Sequence, residues 1–531
     1  LDMSPLTAQQ ADILAAGQWR PSLASKTFQS VNPASGELLP YHFPVSSWED
    51  CDQVLQAATE AAERLRQLPP AQLAAFLEAF AVQLEANSQA LCELAHRESA
   101  LPLKPRLADV ELPRTAGQLR QAATAARSGS WAQAVIDTQL GIRSCYEPIG
   151  PVCVFGPNNF PFAFNSAAGG DFAAAIAAGN PVIAKANPSH PATTKLLAEL
   201  ALKAIEETNL PPATLQLIYR TSHEDGARLV ADPRVGAIGY TGSRHAGLVL
   251  KAAADAVGTP IYLELSSINP VVILPGALVE RGDEIVGEFV TSGLMGTGQF
   301  CTNPGLVLLV QGAQTDQFLN AVTAKYEAAA PGTLLSTSVQ ESLTSAINTI
   351  TKAGAKLLCG GQAVAGQCSV SNTLLQVSAE AFIAQAEVFQ TEAFGNAALV
   401  VVADNVNQLG GVLRALEGNL TGCIYSDTQG ADDAAYDQLA PLLARRVGRL
   451  LNDKMPTGVA VSPAMNHGGP FPATGHPGFT AVGIPASLFR FAKLTCYDAV
   501  RQQRLPGLLQ DKNPTGQTWR CIDLKWTTAD V

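Results

Sequence analysis

Apolar residues between positions 51 and 99 recur at helical spacing, with Leu73, Phe76, Leu77, Phe80 and Leu84 on one face. Pro69 and Pro70 interrupt the run, so the pattern predicts two helices in a hairpin. The rhythm changes after Pro151. Short apolar runs (PVCVFG, PVIAK, LQLIY, VGAIGYTG, IYLEL and PVVIL) alternate with helical segments as far as Pro275. Strands that are apolar on both faces and separated by helices predict a parallel sheet with right-handed crossovers. The same rhythm returns in GLVLLV at 305–310, AALVVV at 397–402 and GCIYS at 422–426, which predicts a second α/β domain. The alanine-rich stretch from Phe172 to Ala178 predicts a helix closed by Gly179 and then Pro181. Residues 130–147 lack a helical period and predict a projecting β-hairpin, either an ordinary edge hairpin or an oligomer arm.

A chain of 531 residues exceeds what one core organises and predicts two to four domains. Charged residues make up only 15%, against roughly 25% in an average soluble chain, so surface hidden in an oligomer is expected. The net charge of -11 is spread without a basic block, which speaks against nucleic acid and anionic membranes and for a small-molecule partner. No apolar run reaches the roughly 18 to 20 residues of a bilayer span, and the first twenty residues lack a cationic segment followed by an apolar one; the expected location is the cytoplasm. Ten cysteines occur without a CxxC pair, so neither structural zinc nor a disulfide frame is expected.

One of the ten has distinctive surroundings. Cys301 stands in MGTGQFCTNPG, behind Gly296 and Gly298, where glycines can set a thiol on a tight, accessible bend. A free thiol with a pKa of about 8.5 is mostly protonated at neutral pH, so a catalytic one needs amides, a cation or a base beside it; otherwise it is a thiol next to a turn. Glu264 interrupts the apolar run YLEL just before a turn, as a general base or as one half of an ion pair. Asn159, in FGPNNFPFAF, offers two amide hydrogens at the carboxyl edge of the predicted sheet, where open α/β sheets bind ligands, although asparagine in a turn is often only a turn residue. GAIGYTGSRHAG, from Gly236 to Gly247, sets glycines and Ser243 between a strand and a helix, where backbone amides can receive a pyrophosphate. Its spacing is not GxGxxG, so alone it is a weak dinucleotide signal.

In combination these runs resemble the aldehyde dehydrogenase superfamily, from about residue 25 onward. The resemblance is carried by the order NFP, VIAK, YTGS, ELSS, GQFCT and TEAFG. GGDFAAAIAAGNPVIAKANPSHP and PTGVAVSPAMNHGGPFPATG are similar, more narrowly, to the branch of α-ketoglutarate semialdehyde (2,5-dioxovalerate) dehydrogenases and the NADP-linked fatty aldehyde dehydrogenase of luminous bacteria. The resemblance implies an α/β fold with a Rossmann-type cofactor domain (1–129 and 148–268), an α/β catalytic domain (269–480, its last part able to return to the cofactor domain), a β oligomerisation arm (130–147 and 481–500) and a tail (501–531). It also implies a homodimer or homotetramer.

The same resemblance implies the roles. Cys301 is the nucleophile, Asn159 and the Cys301 amide form the oxyanion site, and Glu264 is the base that activates water. Lys185 binds the adenosine ribose, Gly242, Ser243 and Gly247 lie over the pyrophosphate, Glu392 bonds the nicotinamide ribose and Phe394 packs on the nicotinamide. No metal is needed. The implied reaction is NAD(P)-dependent oxidation of an aldehyde to a carboxylic acid, with 2,5-dioxovalerate the leading substrate and a fatty aldehyde the alternative. Coenzyme A-acylating relatives lack the glutamate, so Glu264 counts against that chemistry, and the intact set counts against an inactive binding protein.

Two departures from the pattern matter. Pro188 stands where NAD-preferring relatives often carry a ribose-binding glutamate, which favours NADP or the use of both cofactors, NADP preferred, with Arg220 a candidate partner for the 2′-phosphate or a solvated loop residue. Asn158 replaces the usual tryptophan before Asn159, as in the narrower branch. NHGGPFPATG brings His467 near the expected substrate mouth, to bond a polar substrate or, more plainly, as a structural loop contact; Phe160 and Phe300 are further substrate candidates.

Overall fold

The structure, a computed structural model, describes residues 10–531. Residues 1–9, where the reading of a chain start without a targeting segment begins, lie outside the described residues. The larger sheets are two of seven strands and one of five.

The first sheet contains the strands expected between 151 and 265: β1 (Val152–Phe155), β2 (Val182–Lys185), β3 (Leu215–Ile218), β4 (Ala237–Thr241) and β5 (Ile261–Glu264). Their order is β5-β4-β1-β2-β3, all parallel, and Ile13–Ala15 with Gln18–Arg20 extend it antiparallel beside β3. Nearly every residue of the five strands is buried because helices cover both faces, which is why the runs read as continuously apolar. Gly170–Ala177 is one such helix, and Gly179 beyond its end takes a φ of +96. Three helices, Trp48–Leu65, Pro70–Ala86 and Ser88–Ser99, replace the expected two-helix hairpin, because Asn87 ends one apolar run and starts the next.

The chain enters the second sheet at Pro270–Ile273, which lies between Leu306–Val310 and Asn419–Tyr425. Ala397–Ala403, Thr373–Ser378 and antiparallel Lys356–Cys359 continue one side, and Val447–Asn452 closes the other.

The third sheet runs Ala492–Asp498, Ile142–Pro148, Val135–Asp137, Arg520–Ile522, Lys525–Thr527. Two stretches near it differ from the expected ranges. The stretch 481–491, expected in the arm, packs on the body instead: Leu488 and Phe491 enter the first core, and Arg490 forms a buried ion pair with Asp171 at 2.7 Å. Residues 501–531, expected as a tail, supply two strands of this sheet, anchored by the buried Arg520. Among the described residues no helix is long and apolar enough to cross a membrane.

Candidate active site

From β1 the chain moves outward through β2 and β3, then returns to the other flank of β1 for β4 and β5. The crevice at such a reversal, outside the carboxyl ends of the strands, is where open α/β sheets bind ligands. Asn159 follows β1, Lys185 closes β2, Arg220 follows β3, Gly242 and Ser243 follow β4, and Glu264 closes β5. Parallel pairing sets Thr241 beside Glu264, and the Gly242 amide donates to the Glu264 carbonyl at 3.1 Å.

Cys301 arrives from the second half of the chain, on the loop after the short helix Met295–Gly298. Gly298 has a φ of +67, and a Cβ there would sit 2.0 Å from the Gly395 carbonyl oxygen, so only glycine lets this loop lie against the segment carrying Glu392 and Phe394. The Asn269 amide holds the Cys301 carbonyl at 2.8 Å, and the Asn159 side-chain amide donates to the Gln299 carbonyl at 3.1 Å. Asn159 is thereby tied to the cysteine loop with one amide hydrogen left over.

His467 lies between the two expected reactive groups. Its Nε2 is 2.8 Å from Glu264 Oε1 and 3.5 Å from Cys301 Sγ. Glu264 and His467 are 2% and 1% exposed, whereas Cys301 is half-buried. The histidine read as a loop contact is therefore in the centre of the site. Its signal was local: Gly468 and Gly469 follow it, and a Cβ on either would fall 2.3 to 2.4 Å from a neighbouring carbonyl oxygen, so this loop presses inward. Burial pushes the Cys301 thiol well above its ordinary range, the Glu264 charge and hydrogen bond add to this, and the Arg114 cation opposes it. A thiol so placed is protonated near neutrality and has two proton acceptors within reach.

Beyond the thiol the cleft is aromatic. Phe160 packs edge-on against Phe164 and Phe300, with ring centroids 5.1 and 5.6 Å apart, and Phe479, Ala481 and Val482 complete the cluster. Two arginines face it. Arg106 lies over Phe160 at 4.5 Å and is committed to an ion pair with Glu111. Arg114 lies over Phe164 at 5.4 Å, its Nε bonds Gln118 at 3.0 Å, and its buried Nη2 has no partner among the described residues. The charges of both Cys301 and Glu264 reach Arg114, although burial still lowers its pKa. Sequence reasoning missed Arg114, since an arginine within a helix reads as a solvated residue.

The remaining residues suit a dinucleotide. Ser243 caps the helix Arg244–Asp255 by accepting from the Ala246 amide, and the Tyr240 hydroxyl donates to the Ser243 carbonyl at 3.0 Å. A Cβ on Gly247 would lie 2.5 Å from Leu265, so glycine keeps this helix start close to the sheet. Free amides at a helix start of this kind can receive an anion. Burial, helped by the Arg220 charge, lowers Lys185 to about 8. Glu392 accepts from the Ser267 amide at 3.1 Å, burial pushes it up to about 7, and it shares a cleft with Phe394, Phe300 and Gly298. Pro188 and Arg220 line a second cleft with Ser189 and Ser336.

Fold and site together define an α/β enzyme with a doubly wound, dinucleotide-type sheet and a cysteine presented at its switch point. The chain belongs to the aldehyde dehydrogenase family, whose model matches residues 19–440. It is 40% identical to α-ketoglutaric semialdehyde dehydrogenase 2 of Azospirillum brasilense and 37% identical to α-ketoglutaric semialdehyde dehydrogenase of Acinetobacter baylyi, in each case over 92% of this chain and 94% of the relative. Among solved structures, lactaldehyde dehydrogenase from Escherichia coli superposes with a TM-score of 0.79 at 22% identity, covering 92% of this chain and 98% of that one. A putative aldehyde dehydrogenase from Burkholderia cenocepacia gives 0.80, also at 22% identity, covering 94% and 99%. As a family member the protein is an NAD(P)-dependent oxidoreductase whose substrate is an aldehyde.

Proposed function

We propose that the protein oxidises 2,5-dioxovalerate to 2-oxoglutarate. Cys301 loses its proton to solvent and adds to the aldehyde carbon as the thiolate. The resulting oxyanion takes hydrogen bonds from the Asn159 side chain and the Cys301 amide, a kind of donor typically worth about 3 to 4 kcal/mol. A nicotinamide held by Glu392 and Phe394 would supply the hydride acceptor. Glu264 then deprotonates the water that hydrolyses the thioester on Cys301, and His467, bonded to Glu264, orients that carboxylate.

The observation that carries the substrate is Arg114. A buried guanidinium nitrogen without a partner, set among Phe160 and Phe164, is costly unless something anionic meets it there. A semialdehyde with its carboxylate at the far end does so, and the two relatives at 40% and 37% identity are named for such a substrate. Losing a charge-assisted hydrogen bond costs about 1.5 to 3 kcal/mol, so Arg114→Met is expected to lower kcat/KM for 2,5-dioxovalerate by roughly 10- to 100-fold and leave hexanal little changed. The aromatic lining of the same cleft gives the fatty aldehyde reading its one support. A wild-type enzyme that prefers hexanal, or an Arg114→Met that weakens both substrates alike, overturns the assignment.

NADP is the preferred cofactor in this proposal, with NAD also used. Pro188 brings no carboxylate to the cleft it shares with Arg220, and Arg220 is close enough to Lys185 to lower its pKa. Arg220 is exposed, which limits its contribution, so Arg220→Ala is expected to raise KM for NADP about tenfold while KM for NAD stays constant. An unchanged NADP-to-NAD ratio removes Arg220 from the site. The third sheet is the proposed contact between copies in a homodimer or homotetramer, since its edge strands expose Leu494 and Trp526. Ten free cysteines, seven of them buried, fit the reducing cytoplasm.

A further inference from the structure

Three side chains of three different metal-binding types meet in the cleft. Cys301 Sγ, His467 Nε2 and a Glu264 carboxylate oxygen all lie within 4.8 Å of one another. Tetrahedral zinc, with bonds of about 2.3 Å to sulfur and about 2.0 to 2.1 Å to nitrogen or oxygen, would hold sulfur and nitrogen about 3.6 Å apart and nitrogen and oxygen about 3.3 Å apart. The observed separations are 3.5 Å for Sγ to Nε2 and 2.8 Å for Nε2 to Oε1. The first already fits, and the second needs to open by only about half an ångström.

Each ligand is held from elsewhere. The His467 amide donates to Thr480 Oγ1 at 2.8 Å, Asn269 holds the Cys301 carbonyl, and Glu264 is fixed by its strand and its bridge to Thr474. The cluster keeps donor capacity that its internal hydrogen bonds leave unused. A single Nε2, with one hydrogen or one lone pair, faces both sulfur and carboxylate, and the buried Glu264 Oε2 has no partner among the described residues.

We propose that Cys301, His467 and Glu264 form a binding site for Zn2+, with a fourth position left for water, and that the bound ion inhibits the enzyme reversibly in competition with the aldehyde. Thiolate and imidazole select a borderline-soft cation over Mg2+ or Ca2+. The thiol proton leaves to solvent as the sulfur–zinc bond forms, and no electron changes hands. Two anionic ligands balance the charge of the ion. Arg114 and Arg449, whose charges reach Cys301, oppose binding, and the nearby Glu392 favours it. A sulfur that has donated electron density to zinc is a much weaker nucleophile, and the ion occupies the space beside Cys301 Sγ that the carbonyl must reach. Binding rests on the geometry alone, and only the inhibition rests on the role proposed for Cys301.

The test is a titration of the full-length protein with Co2+ as a spectroscopic stand-in. One equivalent per chain is expected to produce thiolate-to-cobalt charge-transfer absorption and tetrahedral ligand-field bands, both lost when one equivalent of Zn2+ is added. Cys301→Ala and Cys301→Ser should lack the charge-transfer band, and His467→Gln should bind at least about tenfold more weakly. In turnover, Zn2+ should raise the apparent KM for aldehyde, with full recovery on adding chelator. No band in the wild type, a band that survives in Cys301→Ala, or unchanged affinity in His467→Gln overturns the site. A band accompanied by undiminished turnover leaves the site standing and refutes the inhibition and the role given to Cys301.

Discussion

Cys301→Ala is expected to abolish both halves of the reaction, with no cofactor reduction in a single turnover and no carboxylic acid in the steady state. The expected loss in kcat is at least about 10⁴-fold, the scale seen when a covalent nucleophile is removed. The argument is geometric. Seven of the ten cysteines are buried, and Cys301 is the one that stands beside a carboxylate and an imidazole at the carboxyl edge of the first sheet. Alanine removes one sulfur atom from a half-buried position on a loop anchored by Asn269 and Gln299, so the fold and the dinucleotide site should survive. Cofactor titration by fluorescence checks this: unchanged affinity together with no reduction isolates the chemical defect. If Cys301→Ala still reduces cofactor at more than about one-hundredth of the wild-type rate, the nucleophile lies elsewhere.

Legibility in the sequence followed physical context. The strands of the first sheet were legible because each is a short apolar run between helices, buried on both faces. Thr373–Ser378 and Val447–Asn452 were missed. The second is an edge strand with one of its six residues buried and two exposed, so it carries no continuous apolar run. The strands of residues 501–531 were harder still. Arg520 holds that segment by donating to the backbone carbonyls of Gln510, Asp511 and Ala529, and an interior built on a guanidinium and carbonyls has no hydrophobic signature. In the site, the pattern singled out Cys301, Glu264 and Asn159 because each breaks an apolar or glycine-rich run. It could not show that His467, about two hundred residues beyond Glu264 in the chain, meets both of the others. Nor could it show that Arg114 turns inward, since a helix arginine is charged whichever way it faces.

Glu264→Gln separates the two halves that Cys301→Ala removes together. Glutamine keeps the size of the side chain and can still bond His467, but it cannot take a proton from water. A burst of reduced cofactor close to one equivalent per site is therefore expected, followed by steady-state turnover lowered by about 10² to 10⁴, with the acyl group retained on Cys301 as a mass increment in the intact protein. The same variant should change the resting thiol. The Glu264 carboxylate is second only to burial in raising the Cys301 pKa, so removing its charge lowers that pKa and increases the thiolate fraction at any pH below it. Alkylation of Cys301 by iodoacetamide near neutral pH should accordingly be faster in Glu264→Gln than in the wild type, although turnover is slower. These two readouts move in opposite directions, which a general loss of structure would not produce. Normal steady-state turnover in Glu264→Gln would pass the base role to His467, the other proton acceptor beside Cys301. Slower alkylation would instead mean that Glu264 serves to deprotonate the thiol.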